Sequence, residues 1–311
     1  MVVRKSTGQY WVAFGGTPVP CSLSSRLRKQ LIYPIADPTS LRHRVKAVKA
    51  IAQVDPVAIG DRVRFVDAGD GSGMIVEVLP RKNKLVRRAA GARPLEQVIV
   101  ANVDQVIAIM AAAYPAPKWE LLDRYLSAAA DLDLPALILI TKMDLIDASA
   151  VQQEIESYRR IGYPVLLTSA LTGAGIDQLQ QALAGRLSVL IGLSGVGKTT
   201  LLNTIQPELG RRVGEISQAT NKGKHTTTNL EMFPLDGGGH LVDTPGMREF
   251  GLWDLQDDDL AGSFLEMRPY LGQCRFGASC THLHEPGCAI KEAVAAGHIA
   301  ARRYQSYLRM R

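Results

Sequence analysis

The sequence predicts a multidomain chain of three parts: a small basic β-barrel over residues 1–98, an α/β domain with a parallel sheet over 99–251, and a mainly helical metal-binding domain over 252–311. Three observations carry this reading. Residues 1–98 hold 17 Lys and Arg against 7 Asp and Glu, whereas the rest holds 19 against 23. Short strand patterns give way after residue 98 to apolar runs that alternate with helical stretches. Three of the four cysteines fall between Cys274 and Cys288.

In the first part, GDRVRFV and GMIVEVLP flank the turn Asp70-Gly71-Ser72-Gly73 and read as a β-hairpin, with KNKLVRR as a third short strand. Short strands separated by Gly and Pro suggest a small barrel, and the OB-fold is the natural candidate for a basic one. The stretch from Ser22 to Lys49 fits no strand pattern and reads as a long inserted loop. Two clusters carry the charge: Arg26, Arg28, Lys29, Arg42, Arg44, Lys46 and Lys49, then Arg81, Lys82, Lys84, Arg87, Arg88 and Arg93. Clustered cations on a small domain mark a nucleic-acid surface, and equally a solvated face.

In the second part, VDQVIAIMAAA, PALILI, PVLLTSA and LSVLIG are strands, separated by helices at 119–132, 149–161 and 174–185. Alternation of this kind gives a parallel sheet covered on both faces. Gly192-Leu193-Ser194-Gly195-Val196-Gly197-Lys198-Thr199 fits G-x-x-x-x-G-K-[ST], and it joins a strand to a helix as a phosphate-binding loop requires. The glycines let backbone N–H groups line a nest for phosphate oxygens, and the helix N-terminus, with Thr200 in its first turn, adds free donors. Lys198 supplies a cation to the β and γ phosphates, and Thr199 a hydroxyl to Mg²⁺. Downstream, HLV delivers Asp243 of Asp243-Thr244-Pro245-Gly246 to a strand end, as a second Mg²⁺ holder. Gly246 offers its N–H to a γ-phosphate. Between the two motifs, Lys224-His225-Thr226-Thr227-Thr228 offers a threonine, Thr226 or Thr227, to complete the Mg²⁺ shell.

Thr141-Lys142-Met143-Asp144 resembles the N-K-x-D signature, with Thr141 in place of the usual Asn. A carboxylate there accepts from guanine N1–H and N2–H₂, which adenine lacks, so Asp144 favours GTP over ATP. The Lys142 stem covers the base. Thr168-Ser169-Ala170 matches the loop whose backbone reaches guanine O6. Base recognition therefore precedes phosphate recognition along the chain, the reverse of the ordinary order. Because domain termini often lie close together, such a circular permutation preserves the fold.

In the third part, Cys274, Cys280 and Cys288 with a histidine make a closed Cys₃His set of the kind that binds structural Zn²⁺. Spacing alone leaves His282 and His284 as alternatives.

Together, GDRV, VLPRKNKLVRR, ANVDQV, GLSGVGKTTLLN, KHTTT, DTPGMREFGLWDL and the cysteine segment resemble the ribosome small-subunit-dependent GTPase A family, RsgA or YjeQ, over essentially the whole chain. The resemblance implies an N-terminal OB-fold, a central circularly permuted P-loop GTPase domain and a C-terminal zinc domain ligated through His282. It implies GTP hydrolysis to GDP during late maturation of the small ribosomal subunit, stimulated by that particle and in contact with its rRNA. It also points to His225 as the catalytic partner of Lys198. Met247, just after the D-T-P-G motif, cannot replace the glutamine that orients water in many GTPases. A neutral imidazole can orient that water.

Two other classes compete: an RNA-binding module gated by nucleotide, with hydrolysis incidental, and a P-loop ATPase. No run of 18 apolar residues spans a membrane, and the N-terminus has no signal-peptide pattern, so a cytoplasmic protein is expected. No coiled-coil pattern appears, and a monomer is expected.

Overall fold

The computed structural model describes residues 1–6, 8–28, 55–88, 96–211, 230–243 and 260–311. They form two compact units. One is built from Met1–Val103 with the start of a strand up to Met232; the other takes the remaining residues between Asp104 and Arg311.

The first unit contains β1 (Val2–Ser6), β2 (Gln9–Phe14), β3 (Thr17–Leu23), a short helix α1 (Ser25–Arg28), β4 (Val63–Asp67) and β5 (Gly73–Val78), with strand order β1-β2-β3-β5-β4. β3 and β5 pair in parallel, and the other pairs are antiparallel. The Val2 N–H donates to the Asp61 carbonyl, and the Gly60 N–H to the Val2 carbonyl, which brings β1 against the lead into β4. This is a partly open five-stranded barrel, as the OB-fold requires. Alternating residues turn Val2, Tyr10, Val12, Cys21, Leu23 and Ile75 into one core. The expected hairpin is β4–β5. Its turn is fixed by the Asp67 and Asp70 carboxylates, which accept from the Gly69 and Ser72 N–H groups. KNKLVRR becomes β6 (Lys84–Arg88), which pairs with β7 (Glu96–Ala101) in a separate two-stranded sheet. Of the expected inserted loop, Ser22 and Leu23 close β3 and α1 follows; residues 29–54 lie outside the described residues.

Arg81 departs from the sequence reading of a basic face. Its guanidinium forms a bidentate pair with the fully buried Asp61 at 2.7 and 2.8 Å, and also donates to the Pro56 carbonyl. Asp61 accepts in addition from the Ala58 N–H at 2.7 Å. Arg81 thus neutralises a buried carboxylate instead of meeting solvent. Arg26 and Arg28 lie exposed on α1, while Lys29, Arg42, Arg44, Lys46, Lys49 and Arg93 fall outside the described residues.

The second unit holds β8 (Gln105–Ala111), α2 (Trp119–Asp131), β9 (Ala136–Thr141), α3 (Ser149–Ile161), β10 (Val165–Leu167), α4 (Ile176–Leu183), β11 (Leu187–Gly192) and α5 (Lys198–Ile205). β12 (Leu230–Pro234) then turns at 235–239 into β13 (His240–Asp243). Strands β10-β9-β8-β11-β13 run parallel in that order. Every residue of β8 is buried, which explains its unbroken apolar run. Helices α4 and α5 and strands β8, β9 and β11 share the main core through Ile107, Leu139, Leu179, Leu190 and Leu201.

The C-terminal segment belongs to this unit. After short 3₁₀ turns it forms α6 (Ala289–Ala295) and α7 (Ala301–Met310) around a second core that includes Phe264, Met267, Ile290 and Tyr307. A buried polar cluster ties α7 to α2 and α3. The Asp123 carboxylate accepts from Tyr158 at 2.5 Å, Arg303 at 2.8 Å, Arg302 at 2.7 Å and Ser306 at 2.5 Å. Arg303, fully buried, also pairs with Glu266 at 2.5 and 3.0 Å. Two carboxylates and two guanidiniums balance in charge, and each carboxylate oxygen is satisfied, the condition for burying ions without a large penalty.

Candidate nucleotide and metal sites

The parallel strands end on one edge of the sheet, and the loops leaving that edge carry the motifs. The phosphate loop leaves the buried strand β11 at Gly192. A side chain at this position would meet the Ile109 carbonyl of β8 at 2.7 Å, so only glycine fits between the central strands. Gly195 and Gly197 hold φ of +81° and +90°, the left-handed geometry that turns successive N–H groups into one concavity. Val196 is buried and anchors the loop in the main core. Lys198 opens α5, and its ammonium donates to the carbonyls of Gly192 at 2.6 Å and Leu193 at 3.2 Å, folded over its own loop. Ser194, Thr199 and Thr200 are exposed.

The base motif lies against this loop. Thr141 ends β9, nearly fully buried, and its hydroxyl donates to the Val196 carbonyl at 2.5 Å. It is also 3.3 Å from the Met110 carbonyl. The threonine that departs from the usual asparagine therefore still ties the base motif to the phosphate loop. Lys142, at φ +58°, sends its ammonium to the carbonyls of Gly195 at 2.7 Å and of Tyr114, so its stem lies along the loop. Asp144 stands exposed in a 3₁₀ turn, where one carboxylate oxygen accepts from Ser169 Oγ at 2.5 Å. Ser169 is buried, and its hydroxyl also accepts from the Thr172 N–H at 3.1 Å. Thr168 is buried, with its carbonyl accepting from the Met143 N–H, and Ala170 follows at the edge of the main core. The two base segments, about 27 residues apart in sequence, are thus one hydrogen-bonded unit. Ser169 as the positioner of Asp144 was not legible from the sequence, because nothing in T-S-A says which way the hydroxyl points.

The backbone of Asp243 pairs in register with Leu190 of β11, which brings the end of β13 beside the phosphate-loop strand. His225, Thr226, Thr227, Gly246 and Met247 lie outside the described residues.

Strand order explains the motif order. β11, with the phosphate loop, sits between β8 and β13, and the base-recognition strand β9 sits beyond β8. The site is contiguous in space although its base half precedes its phosphate half in the chain.

A second cluster lies in the C-terminal segment. Cys274, Cys280, His282 and Cys288 are all buried, with one ligand atom from each within 4.8 Å of every other. His282 Nδ1 is 3.5 Å from both Cys274 Sγ and Cys288 Sγ, and those sulfurs are 3.9 Å apart. A tetrahedral zinc with bonds of about 2.3 Å to sulfur and 2.0 Å to nitrogen has edges of about 3.8 Å and 3.5 Å, so the four side chains fit that ion. Burial pushes the Cys280 thiol up to about 12, a cost that a bound cation would offset. Tyr304 donates to the His282 carbonyl at 2.6 Å and Tyr307 to the Thr281 carbonyl at 2.9 Å, fixing the ligand loop from α7. His284 is exposed and is not part of the cluster. Glu285 accepts from Thr281 and from the N–H groups of Thr281, Leu283 and His284, which hold its carboxyl at about 2. It serves the loop and is no candidate base.

Residues 78–253 match the family model described as RsgA GTPase. The chain is 40% identical over 266 residues to the small ribosomal subunit biogenesis GTPase RsgA of Phocaeicola vulgatus, covering 85% of this chain and 86% of that one. It is 44% identical over 257 residues to the protein of the same name from Gemmatimonas aurantiaca, covering 82% and 83%. Among solved structures, YjeQ from Thermotoga maritima superposes with a TM-score of 0.74 at 32% identity, over 99% of this chain and 95% of that one. YloQ, a circularly permuted GTPase, superposes with a TM-score of 0.69 at 27% identity, over 99% and 91%. A family match over more than half of the chain, on a fold whose sheet carries the motifs in permuted order, shows that the chain belongs to the RsgA GTPase family.

Proposed function

We propose that the chain is a GTP hydrolase that acts on the small ribosomal subunit during its assembly, with turnover stimulated by that particle. The observation that carries the nucleotide half is the joined site, with Asp144 set by Ser169 and Thr141 bonded to the phosphate loop. The relatives' printed names carry the particle half.

In this reading the exposed Asp144 carboxylate accepts from the guanine edge, and the Lys142 stem and the Ser169–Ala170 backbone position the base. The N–H groups from Gly192 to Thr200 cradle the phosphates. Lys198, now bonded to carbonyls of its own loop, passes its ammonium to phosphate oxygens, which are stronger acceptors. Thr199 and Asp243, with Thr226 or Thr227, are the holders for Mg²⁺, which would neutralise phosphate charge. Gly246 contacts the γ-phosphate, and His225 orients the attacking water in place of the glutamine that Met247 cannot replace. Cys274, Cys280, His282 and Cys288 are the holders for one structural Zn²⁺, with no position left open for catalysis.

The cationic first third offers a surface for rRNA. On this reading the chain divides into an OB-fold domain over 1–98, a permuted GTPase domain over 99–251 and a zinc domain over 252–311, and it works as a cytoplasmic monomer. Among the described residues, no helix is long and apolar enough to cross a membrane.

The His225→Ala variant tests the catalytic half. GTP affinity should stay near wild type while particle-stimulated single-turnover hydrolysis falls about 100-fold or more. Unchanged stimulated turnover would remove His225 from the mechanism.

A further inference from the structure

The chain does not leave the phosphate-loop helix freely. Pro207 disfavours a helical conformation at Gln206, and α5 stops there, with Gln206 extended at φ −150°. Residues 206–210 then fold back along the helix. Glu208 takes φ +66°, a left-handed conformation uncommon for a residue with a side chain. Leu209 drops into the main core at 1% exposure, and its N–H donates to the Gln206 carbonyl at 3.2 Å. Gln206 Oε1 accepts from the Asp236 N–H at 3.1 Å, in the turn between β12 and β13.

Gly210 completes the return. Its N–H donates to Asn203 Oδ1 at 2.7 Å. A Cβ at this position would stand 2.1 Å from the Thr199 carbonyl oxygen and 2.8 Å from Asn203 Oδ1, so only glycine lets the chain come this close to the first turn of α5. Asn203 follows Thr199 by four residues and lies above it on the same helix face. The asparagine carboxamide therefore holds Gly210, and Gly210 backs Thr199. Thr199 is the residue read above as a holder of Mg²⁺. That ion demands near-ideal octahedral geometry with bonds of about 2.0–2.1 Å, so a ligand oxygen displaced by a few tenths of an ångström binds it poorly.

We propose that Asn203 is a positioning residue for the magnesium ligand: through Gly210 it fixes the first turn of α5, and with it the Thr199 hydroxyl. This rests on the nucleotide and Mg²⁺ reading above and deepens it. Asn203 acts through Thr199 and not on the nucleotide itself. The phosphate loop ahead of Thr199 has supports of its own, with Val196 in the main core and the Val196 carbonyl bonded to Thr141. Loss of the Asn203–Gly210 bond is therefore felt in the share of nucleotide affinity that Mg²⁺ adds, and not in the share that the loop and the base motif supply.

The experiment measures dissociation constants of the full-length chain for non-hydrolysable analogues of GTP and ATP, each in magnesium-free buffer and with saturating Mg²⁺. The ratio of the two constants is the gain from the metal. Asn203→Ala should keep the magnesium-free affinity within about twofold of wild type and cut the gain about fivefold. Asn203→Asp keeps an acceptor for the Gly210 N–H and should retain most of the gain. Thr204→Ala, which removes a neighbouring hydroxyl bonded to the Thr200 carbonyl of its own helix, should behave as wild type. Gly210→Ala, which forces the chain off Thr199, should lower the gain further than Asn203→Ala. An undiminished gain in Asn203→Ala overturns the proposal. An equal loss with and without Mg²⁺ overturns it too, because the bond would then shape the phosphate loop as a whole. A full gain in Thr199→Ala would remove Thr199 from the metal, and the role of Asn203 with it. Wild type that binds the ATP analogue as tightly as the GTP analogue would overturn the guanine reading alone, since the gain from Mg²⁺ is measured with either nucleotide.

Discussion

Thr141 shows how far a residue type can depart from a signature while its physical task survives. In the sequence the threonine removes the amide of the usual asparagine. In the structure its hydroxyl reaches the Val196 carbonyl at 2.5 Å from a nearly fully buried position. Valine has almost the same shape but no donor, so Thr141→Val isolates that hydrogen bond. It should leave the carbonyl short of a partner and cost about 1–3 kcal/mol in urea unfolding. It should also weaken nucleotide binding, because the phosphate loop loses its tie to the base motif. Thr141→Asn, which keeps a donor, should recover much of both, and full stability in Thr141→Val would make the bond irrelevant. At this scale the sequence offered positions but not their partners. Asp144 and Ser169 were read as separate contacts with the base, and the structure makes one the support of the other. Arg81 was counted among surface cations, and the structure pairs it with the buried Asp61. Hydrogen-bond direction and charge pairing over 20 or more residues leave no trace in local spacing.

Elements were far more legible. Each apolar run after residue 98 became a strand, and the helices expected at 119–132, 149–161 and 174–185 appear as α2, α3 and α4 within a few residues. Periodicity reports burial, and burial is what builds these elements. Packing between elements was not legible. Asp123 sits in the middle of an amphipathic helix and would ordinarily be given to solvent, yet it is fully buried and accepts hydrogen bonds from α3 and α7. Asp123→Ala takes the carboxylate from Arg302 and leaves the buried Arg303 with Glu266 alone, two guanidiniums against one carboxylate, and should cost about 3–5 kcal/mol in chemical denaturation. A loss below about 1 kcal/mol would mean that the cluster is solvated in solution. The Cys₃His cluster acts at the same scale. Tyr304 and Tyr307 bond to the ligand loop while their neighbours Arg303 and Ser306 bond to Asp123, so α7 joins the cysteine cluster to the GTPase helices. Zinc removal by a chelator should therefore lower the first thermal transition by roughly 10 °C. A chelated protein that melts as the loaded one does would deny the metal a structural role.

At the scale of the whole molecule, permutation is the main consequence of the chain order. The sheet places the phosphate strand β11 between β8 and β13 and the base strand two positions away, so the two motifs meet whichever is translated first. Opening the chain elsewhere lets the sequence after D-T-P-G lead on to the cysteine-rich segment, and the segment before the base strands carry a cationic barrel. The permutation was legible because motif order is a property of the sequence itself. The partner was legible only through the family resemblance, since cationic charge alone does not distinguish one nucleic acid from another.

On the proposed reading, this permuted site is a GTPase switched on by the small ribosomal subunit. The most direct measurement is phosphate release from GTP and from ATP, each with and without purified small subunits. Slow GTP hydrolysis that the subunits accelerate many-fold, with ATP inert, is the predicted result. Hydrolysis of GTP indifferent to the subunits, or ATP used as readily as GTP, would contradict it.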